Sequence, residues 1–341
     1  MSKLITGSTP AGTRERLASR VPLDTPLMVE IFPIYACNLK CVYCMMSTPR
    51  KEHGYISGKT AMDLATFDIC VEGLKRFPRR VRVLRFAGLG EPLLNKDLAA
   101  MVKIAKDANV AETIEVLTNG TLLTLDKGRE LIAAGMTRFI ISVQGTSKEK
   151  CSAVSGSDFD FDQFIKNLQH LYFNKNGAII YVKTMDTALA DAADVKLFLD
   201  TFDPICDLIN IEHTVPIHPV VDYKQVIGEG HDKTQFGREA RKVECCPRPF
   251  MSIHVLPDGN IVPCYSLEYP AIIGNVALTS LYDAWRSLAM NEFRQKMTVG
   301  SRDTCAACAK CKVLDYRIFE EDDIDTEARR LREYYGGKTC A

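Results

Sequence analysis

Cys37-Asn38-Leu39-Lys40-Cys41-Val42-Tyr43-Cys44 sets three thiols in C-x3-C-x2-C spacing, and no further cysteine follows before Cys70. Iron–sulfur clusters are usually held by four thiolates. Three on one short loop can hold three irons of a [4Fe–4S] cube and leave the fourth open to a small ligand. An open metal position points to chemistry rather than scaffolding. A zinc knuckle or unpaired thiols are the alternatives. Structural zinc usually takes two paired knuckles, which this loop does not supply.

The loop follows Met28–Ile34, an apolar, β-branched run that reads as a strand. From there to Glu212 short apolar runs alternate with longer amphipathic ones. The pattern predicts strands at Val81–Ala87, Thr113–Thr118, Arg138–Val143, Ala178–Thr184 and Leu208–Glu212. It predicts helices at Thr60–Arg76, Lys96–Ala108, Leu125–Ala134, Phe161–Asn174 and Ala193–Thr201. Such alternation implies an α/β fold of parallel strands with right-handed crossovers, which can curl into a full or partial barrel. In barrels, chemistry gathers at the C-terminal ends of the strands. Residues 213–244 read as a connection rich in His, Pro, Gly and charge, and long loops of that kind are often functional. Phe250–Leu256 and Ile261–Tyr265 flank Pro257-Asp258-Gly259-Asn260, a hairpin signal. Thr279–Met297 reads as a helix capped by Ser280, and Phe319–Tyr335 as a charged, solvated helix. The expected organisation is an extension at 1–26, the alternating unit at 27–212, the connection at 213–244, a small α+β unit at 245–315, and a helix and tail at 316–341.

Composition narrows the function classes. Lys plus Arg and Asp plus Glu both number 43, so no global basic field exists for nucleic acid or an acidic membrane. No apolar run is long enough to span a bilayer. Met1–Thr13 is polar and lacks the apolar core of a signal peptide. Thirteen cysteines without an export signal argue for metal ligation in a reducing cytoplasm rather than for disulfides.

The cysteine spacing resembles the radical S-adenosylmethionine (SAM) superfamily. The resemblance implies a partial (β/α)6 barrel over 27–212 whose cluster, on Cys37, Cys41 and Cys44, is chelated by SAM. One electron then cleaves SAM to methionine and a 5′-deoxyadenosyl radical, which abstracts a hydrogen atom. Tyr43 stands where the family has an aromatic residue beside adenine. Gly88-Leu89-Gly90-Glu91-Pro92, after the second strand, is similar to the family's Gly-Gly-Glu motif, which contacts the SAM amino group. Asn119 sits in a turn at the end of the third strand. Ser142 and Gln144, two apart on the fourth, face one way and are placed to bond the ribose hydroxyls, as the resemblance also implies. Lys183 on the fifth is a candidate for the SAM carboxylate, or an ordinary surface lysine.

A second constellation follows: Cys246 and Cys264, which the hairpin would bring to neighbouring strands, and Cys305, Cys308 and Cys311 in C-x2-C-x2-C spacing. Four thiolates would fill a [4Fe–4S] cluster completely; structural zinc is the alternative. The arrangement looks like the C-terminal extension called SPASM, in its shortened form, twitch. The resemblance implies one auxiliary cluster, hence two [4Fe–4S] clusters in all. Its expected ligands are Cys246, Cys264, Cys305 and Cys308, with Cys311 the rival and Cys245 and Cys340 left over.

A substrate radical can lose an electron to the auxiliary cluster, take a hydrogen atom from a thiol, or couple within the substrate. The first gives dehydrogenation and is the favoured outcome. The second gives epimerisation, with Cys245 as the donor to test; the third resembles peptide maturation. Twitch-type relatives act on sugars, aminocyclitols or peptides. The short stretch before the first strand is expected to favour a small polar substrate over a peptide. His213, His218, Lys224, His231 and Arg238 in the connection are candidates to bind it. A flavodoxin or ferredoxin would supply the electron. A plain Fe–S electron carrier is the non-enzymatic alternative, and the strand-end motifs speak against it.

Overall fold

The computed structural model describes residues 2–5, 14–53, 57–228, 232–264 and 269–337. His231 and Cys340 lie outside the described residues. Ten strands form one sheet: β1 (Lys3–Leu4), β2 (Met28–Ile31), β3 (Val81–Phe86), β4 (Ala111–Thr118), β5 (Arg138–Val143), β6 (Ile179–Met185), β7 (Leu208–Glu212), β8 (Ser252–Val255), β9 (Asn260–Val262) and β10 (Gly274–Asn275). Their order is β1-β7-β6-β5-β4-β3-β2-β8-β9-β10, so β1 and β10 are its edges. Every pairing from β1 through to β8 is parallel. The expected hairpin forms between β8 and β9. It does not start a sheet of its own, because β8 pairs directly with β2. The fold is mixed α/β, a mostly parallel sheet with helices between its strands.

Between the strands run α1 (Leu64–Lys75), α2 (Leu98–Asp107), α3 (Leu125–Ala134), α4 (Lys148–Ser155), α5 (Phe161–Phe173) and α6 (Ala192–Phe202). Helix α1 starts four residues later than the apolar pattern suggests. Residues just before it are claimed by the chain at 33–35: Tyr35 N donates to Thr60 O at 2.7 Å and Met62 N to Pro33 O at 2.9 Å. Asp63 then caps the helix, accepting Thr66 N at 2.8 Å. Helix α4 is absent from the sequence reading because Lys-Glu-Lys-Cys-Ser carries little apolar period. It is set by its ends, with Ser147 capping Lys150 N at 3.3 Å and Gly156 closing it at φ 60°.

Two C-terminal expectations are corrected. Residues 279–297 form two helices, Leu281–Arg286 and Leu288–Met297, separated by Ser287 in extended conformation. Ser280 caps the first and Ser287 the second, each accepting an amide at 3.1 Å. Residues 319–335 are not one solvated helix: short turns lead into Ala328–Gly336, and Ile324, Leu331 and Tyr335 are buried in the main core. The polar residues of that segment conceal an apolar stripe that packs on Leu288–Met297.

One face of the sheet carries a charged row in register, buried except for the half-buried Arg85: His254, Glu30, Arg85, Glu115 and Arg138. Glu115 accepts from Arg85 Nε at 2.5 Å and Arg138 Nη1 at 3.0 Å. Ile140 and Ser142 continue this face toward the strand ends, where the functional site opens.

Candidate active site

The segment before the cysteine loop is fixed by the Gly-x-Gly-Glu turn. Glu91 N donates to Ala36 O at 2.8 Å. A Cβ on Gly90 would lie 2.3 Å from Ile34 O and 2.8 Å from Ala36 O, so only glycine lets the two backbones meet. Gly88 holds φ at +117°, and a Cβ there would lie 2.3 Å from the Phe32 ring. The loop then docks on the end of α4, with Lys40 N bonded to Ser155 O at 2.7 Å and Val42 N to Val154 O at 2.9 Å.

Within the loop Cys37 and Cys41 both sense the charge of Cys44. Burial pushes Cys37 up to about 11, with the Cys44 charge adding to it. Burial, then the Cys44 and Cys37 charges, push Cys41 higher still. Crowded, desolvated thiols of this kind ionise when a cation is there to take them. The donor set suits a soft, thiolate-bound iron cluster. As they stand, no three metal-binding side chains among the described residues converge at bonding distance on one point.

A cavity of about 220 Å³ opens over the loop, lined by Cys37, Cys41 and Cys44 together with Tyr43, Gly88, Gly90, Glu91, Asn119, Ser142, Gln144 and Lys183. All the strand-end residues singled out by sequence thus share one chamber. The Tyr43 hydroxyl donates to Gln144 Oε1, and Gln144 Nε2 to Ser142 O at 2.8 Å. Asn119 bonds Asn38 Oδ1 at 3.0 Å, clasping the loop. Glu91 is 2 % exposed and already accepts three bonds: from Thr118 Oγ1 at 2.6 Å, Asn119 N at 2.8 Å and Leu93 N at 3.0 Å. Burial holds its pKa above the usual carboxylate value against those donors. Its place is partly structural, therefore, with Oε2 carrying a single bond.

Lys183 is no surface lysine. Its Nζ donates to Glu212 Oε2 at 2.6 Å, and the same oxygen accepts Gln235 Nε2 at 2.7 Å. Arg317 Nε in turn donates to Gln235 Oε1. Burial alone would raise the Glu212 pKa, but the charge and bond of Lys183, the Gln235 bond and the Arg317 charge hold it below the usual value. Gln235, Arg317, Tyr223 and Thr214 line the chamber with His218. Sequence reading missed the first four; only the His and Gly content of the connection hinted that it had a role. Tyr223 OH donates to Tyr43 O at 2.8 Å and so ties the connection to the cysteine loop. His213 instead pairs with Asp186 at 2.9 Å, and Arg238 with Glu321 at 3.0 Å. Lys224 does not line the chamber.

The second group of cysteines also comes together. Burial pushes Cys246 up to about 12, and the Cys311 charge adds to it. Cys264 is raised by burial and by Cys246, Cys311 and Cys308. Cys305 Sγ accepts Cys308 N at 3.5 Å. Cys311 therefore stands inside the group and not beside it. Cys245 does not reach the chamber: it is 1 % exposed in the main core, and its amide is held by Asp325 Oδ1 at 2.7 Å. Its thiol faces core packing, which removes the geometric basis for a hydrogen-donor role.

Residues 31–182 match the radical SAM superfamily, and residues 245–312 match an iron–sulfur cluster-binding domain, SPASM. The chain is a radical SAM protein with a SPASM domain. It is 24% identical over 298 residues to the S-adenosyl-L-methionine-dependent 2-deoxy-scyllo-inosamine dehydrogenase of Niallia circulans, covering 87% of this chain and 96% of that one. It is 29% identical over 149 residues to mycofactocin maturase MftC of Mycobacterium tuberculosis, covering 44% of this chain and 35% of the relative. The match thus spans about a third of that maturase's length. The fold is similar to the crystal structure of BtrN in complex with AdoMet and 2-DOIA, with a TM-score of 0.54 and 19% identity, covering 86% of this chain and 96% of that one. Among the described residues no helix is long and apolar enough to cross a membrane.

Proposed function

We propose that this radical SAM enzyme oxidises a small polar substrate, of the sugar or cyclitol kind, in the chamber above Cys37, Cys41 and Cys44. The observation that carries the reading is that one cavity is lined both by the cysteine loop with its strand-end residues and by Lys183, Gln235 and Arg317, which Glu212 and Gln235 join into one polar chain. A [4Fe–4S] cluster on the first three cysteines with SAM, and a second cluster on four of the later five, would supply a hydrogen-abstracting radical and an electron acceptor. Tyr43, Gln144 and Ser142 form one bonded edge suited to the nucleoside part of SAM. Glu91 and Asn119 fix the loop beneath it. Val215 and Ile217 add apolar surface to the chamber lining. The similarity to a SAM-dependent dehydrogenase supports oxidation over epimerisation, as does the absence of Cys245 from the chamber. A flavodoxin- or ferredoxin-like protein is the expected electron source.

The test is anaerobic turnover of reconstituted protein with SAM, dithionite and 2-deoxy-scyllo-inosamine or a neutral cyclitol. Oxidation predicts 5′-deoxyadenosine together with a product two hydrogens lighter. A product of unchanged mass in water that gains one deuteron in deuterium oxide would overturn oxidation in favour of epimerisation.

A further inference from the structure

The chamber wall formed by residues 214–223 is fixed at both ends. Thr214 N donates to Asp186 Oδ1 at 2.8 Å, and its hydroxyl meets the Thr187 hydroxyl at 2.8 Å. At the other end Tyr223 is tied to the cysteine loop. Between these anchors a turn closes where Val221 N donates to His218 O at 3.1 Å. Val215 and Ile217 make this stretch apolar, and His218 is its single imidazole facing the chamber. The ring nitrogens of His218 bond to no group among the described residues. Burial, and then the charge of Arg317, push the pKa of His218 down to about 3.

A neutral imidazole is a donor at one nitrogen and an acceptor at the other. A hydroxyl has the same dual character, so the two match without any charge. An ammonium group offers donors only and brings a positive charge toward Arg317, which already disfavours a proton on the ring. A site built around a hydrogen-bonding group discriminates strongly, because the wrong substrate leaves that group unpaired.

Resting on the reading of this cavity as the substrate chamber, we propose that His218 is its specificity-determining residue, which bonds a hydroxyl of an uncharged polyol and selects it over an ammonium-bearing counterpart. The wall is held in place from both ends, so the imidazole is preorganised and is not recruited by closure.

The experiment is equilibrium dialysis of anaerobically reconstituted protein with SAM, using scyllo-inositol and scyllo-inosamine, which differ in one group. The wild-type protein should bind scyllo-inositol at least ~10-fold more tightly. His218→Phe should lose ~10-fold or more of that affinity and, with it, the preference. His218→Asn, which keeps a neutral donor and acceptor, should retain most of both. Equal or tighter binding of scyllo-inosamine by the wild type, binding of neither probe, or an undiminished affinity in His218→Phe would overturn the proposal. Dialysis reads binding without turnover. A wild-type protein that makes no 5′-deoxyadenosine would therefore count against the radical reading, separately from the role of His218.

Discussion

Gly90→Ala is a one-carbon change at the point where the strand-end turn supports the cysteine loop. The added Cβ would sit 2.3 Å from Ile34 O, 2.8 Å from Ala36 O and 3.2 Å from Ala36 N. All three are backbone atoms, so no side chain can swing aside. Ordinary carbon–oxygen contact requires the chain at 34–36 to retreat by roughly 1 Å. Overpacking of this kind costs about 1–3 kcal/mol. Retreat also breaks the 2.8 Å bond from Glu91 N to Ala36 O, worth about 1 kcal/mol. The sum, about 2–4 kcal/mol, corresponds to a fall in Tm of several degrees. The larger consequence is positional. Cys37 follows Ala36 directly, and a shift of about 1 Å in a reacting constellation can cost ~100-fold in rate. Initial rates of 5′-deoxyadenosine formation and thermal unfolding should both fall. Gly58→Ala, where nothing lies within 4 Å of the new carbon, is the control and should leave both unchanged. A Gly90→Ala protein with wild-type Tm and rate would show that this contact does not position the loop.

Three further outcomes are expected. Lys183→Met removes the cation beside a carboxylate that is 3 % exposed, and should destabilise the fold by about 3–5 kcal/mol at pH 8, with part of that recovered near pH 5 where Glu212 can take a proton; urea unfolding at the two pH values checks the sign. His254 is fully buried, and burial followed by the Arg248 and Arg85 charges lowers its pKa to about 3, so between about pH 6.5 and 3 the unfolded chain binds a proton that the fold refuses; stability should fall as pH drops through that window, and a His254→Phe variant should lose up to about 1.4 kcal/mol per pH unit of that slope. Cys311→Ala should remove about four irons, measured by iron and sulfide analysis after reconstitution, while Cys305→Ala alone should retain the auxiliary iron if Cys246, Cys264, Cys308 and Cys311 are the ligands.

The parts of the fold legible in sequence were those whose cause is local. Leu125–Ala134 and Arg138–Val143 form where the apolar period and the caps agree, and Thr124 and Gly135 mark the first of them at both ends. Helix α1 was overextended because Thr60–Asp63 looks helical, yet its amides and carbonyls bond the chain at 33–35. Helix α4 was missed because its purpose is to receive the cysteine loop, a long-range contact that leaves no period. The strand-end candidates lay within a few residues of a predicted strand terminus, and parallel topology then forces them into one chamber. Gln235 and Arg317 could not be found that way: Glu212 is 23 residues from Gln235, and Arg317 meets Gln235 from 82 residues further along the chain. Cys245, named as the donor to test, lies in the main core instead, because adjacency to Cys246 in sequence says nothing about which way a neighbouring thiol faces.

The central claim is that Cys37, Cys41 and Cys44 together support SAM cleavage in this chamber. Its most direct test is 5′-deoxyadenosine formed anaerobically from SAM and dithionite by the reconstituted protein, set beside the variant with all three cysteines changed to alanine. The wild type should form it. The triple variant should form none, while keeping about four irons on the later cysteines. Cleavage by the triple variant at the wild-type rate, or none by a wild-type protein carrying its full iron, would contradict the account.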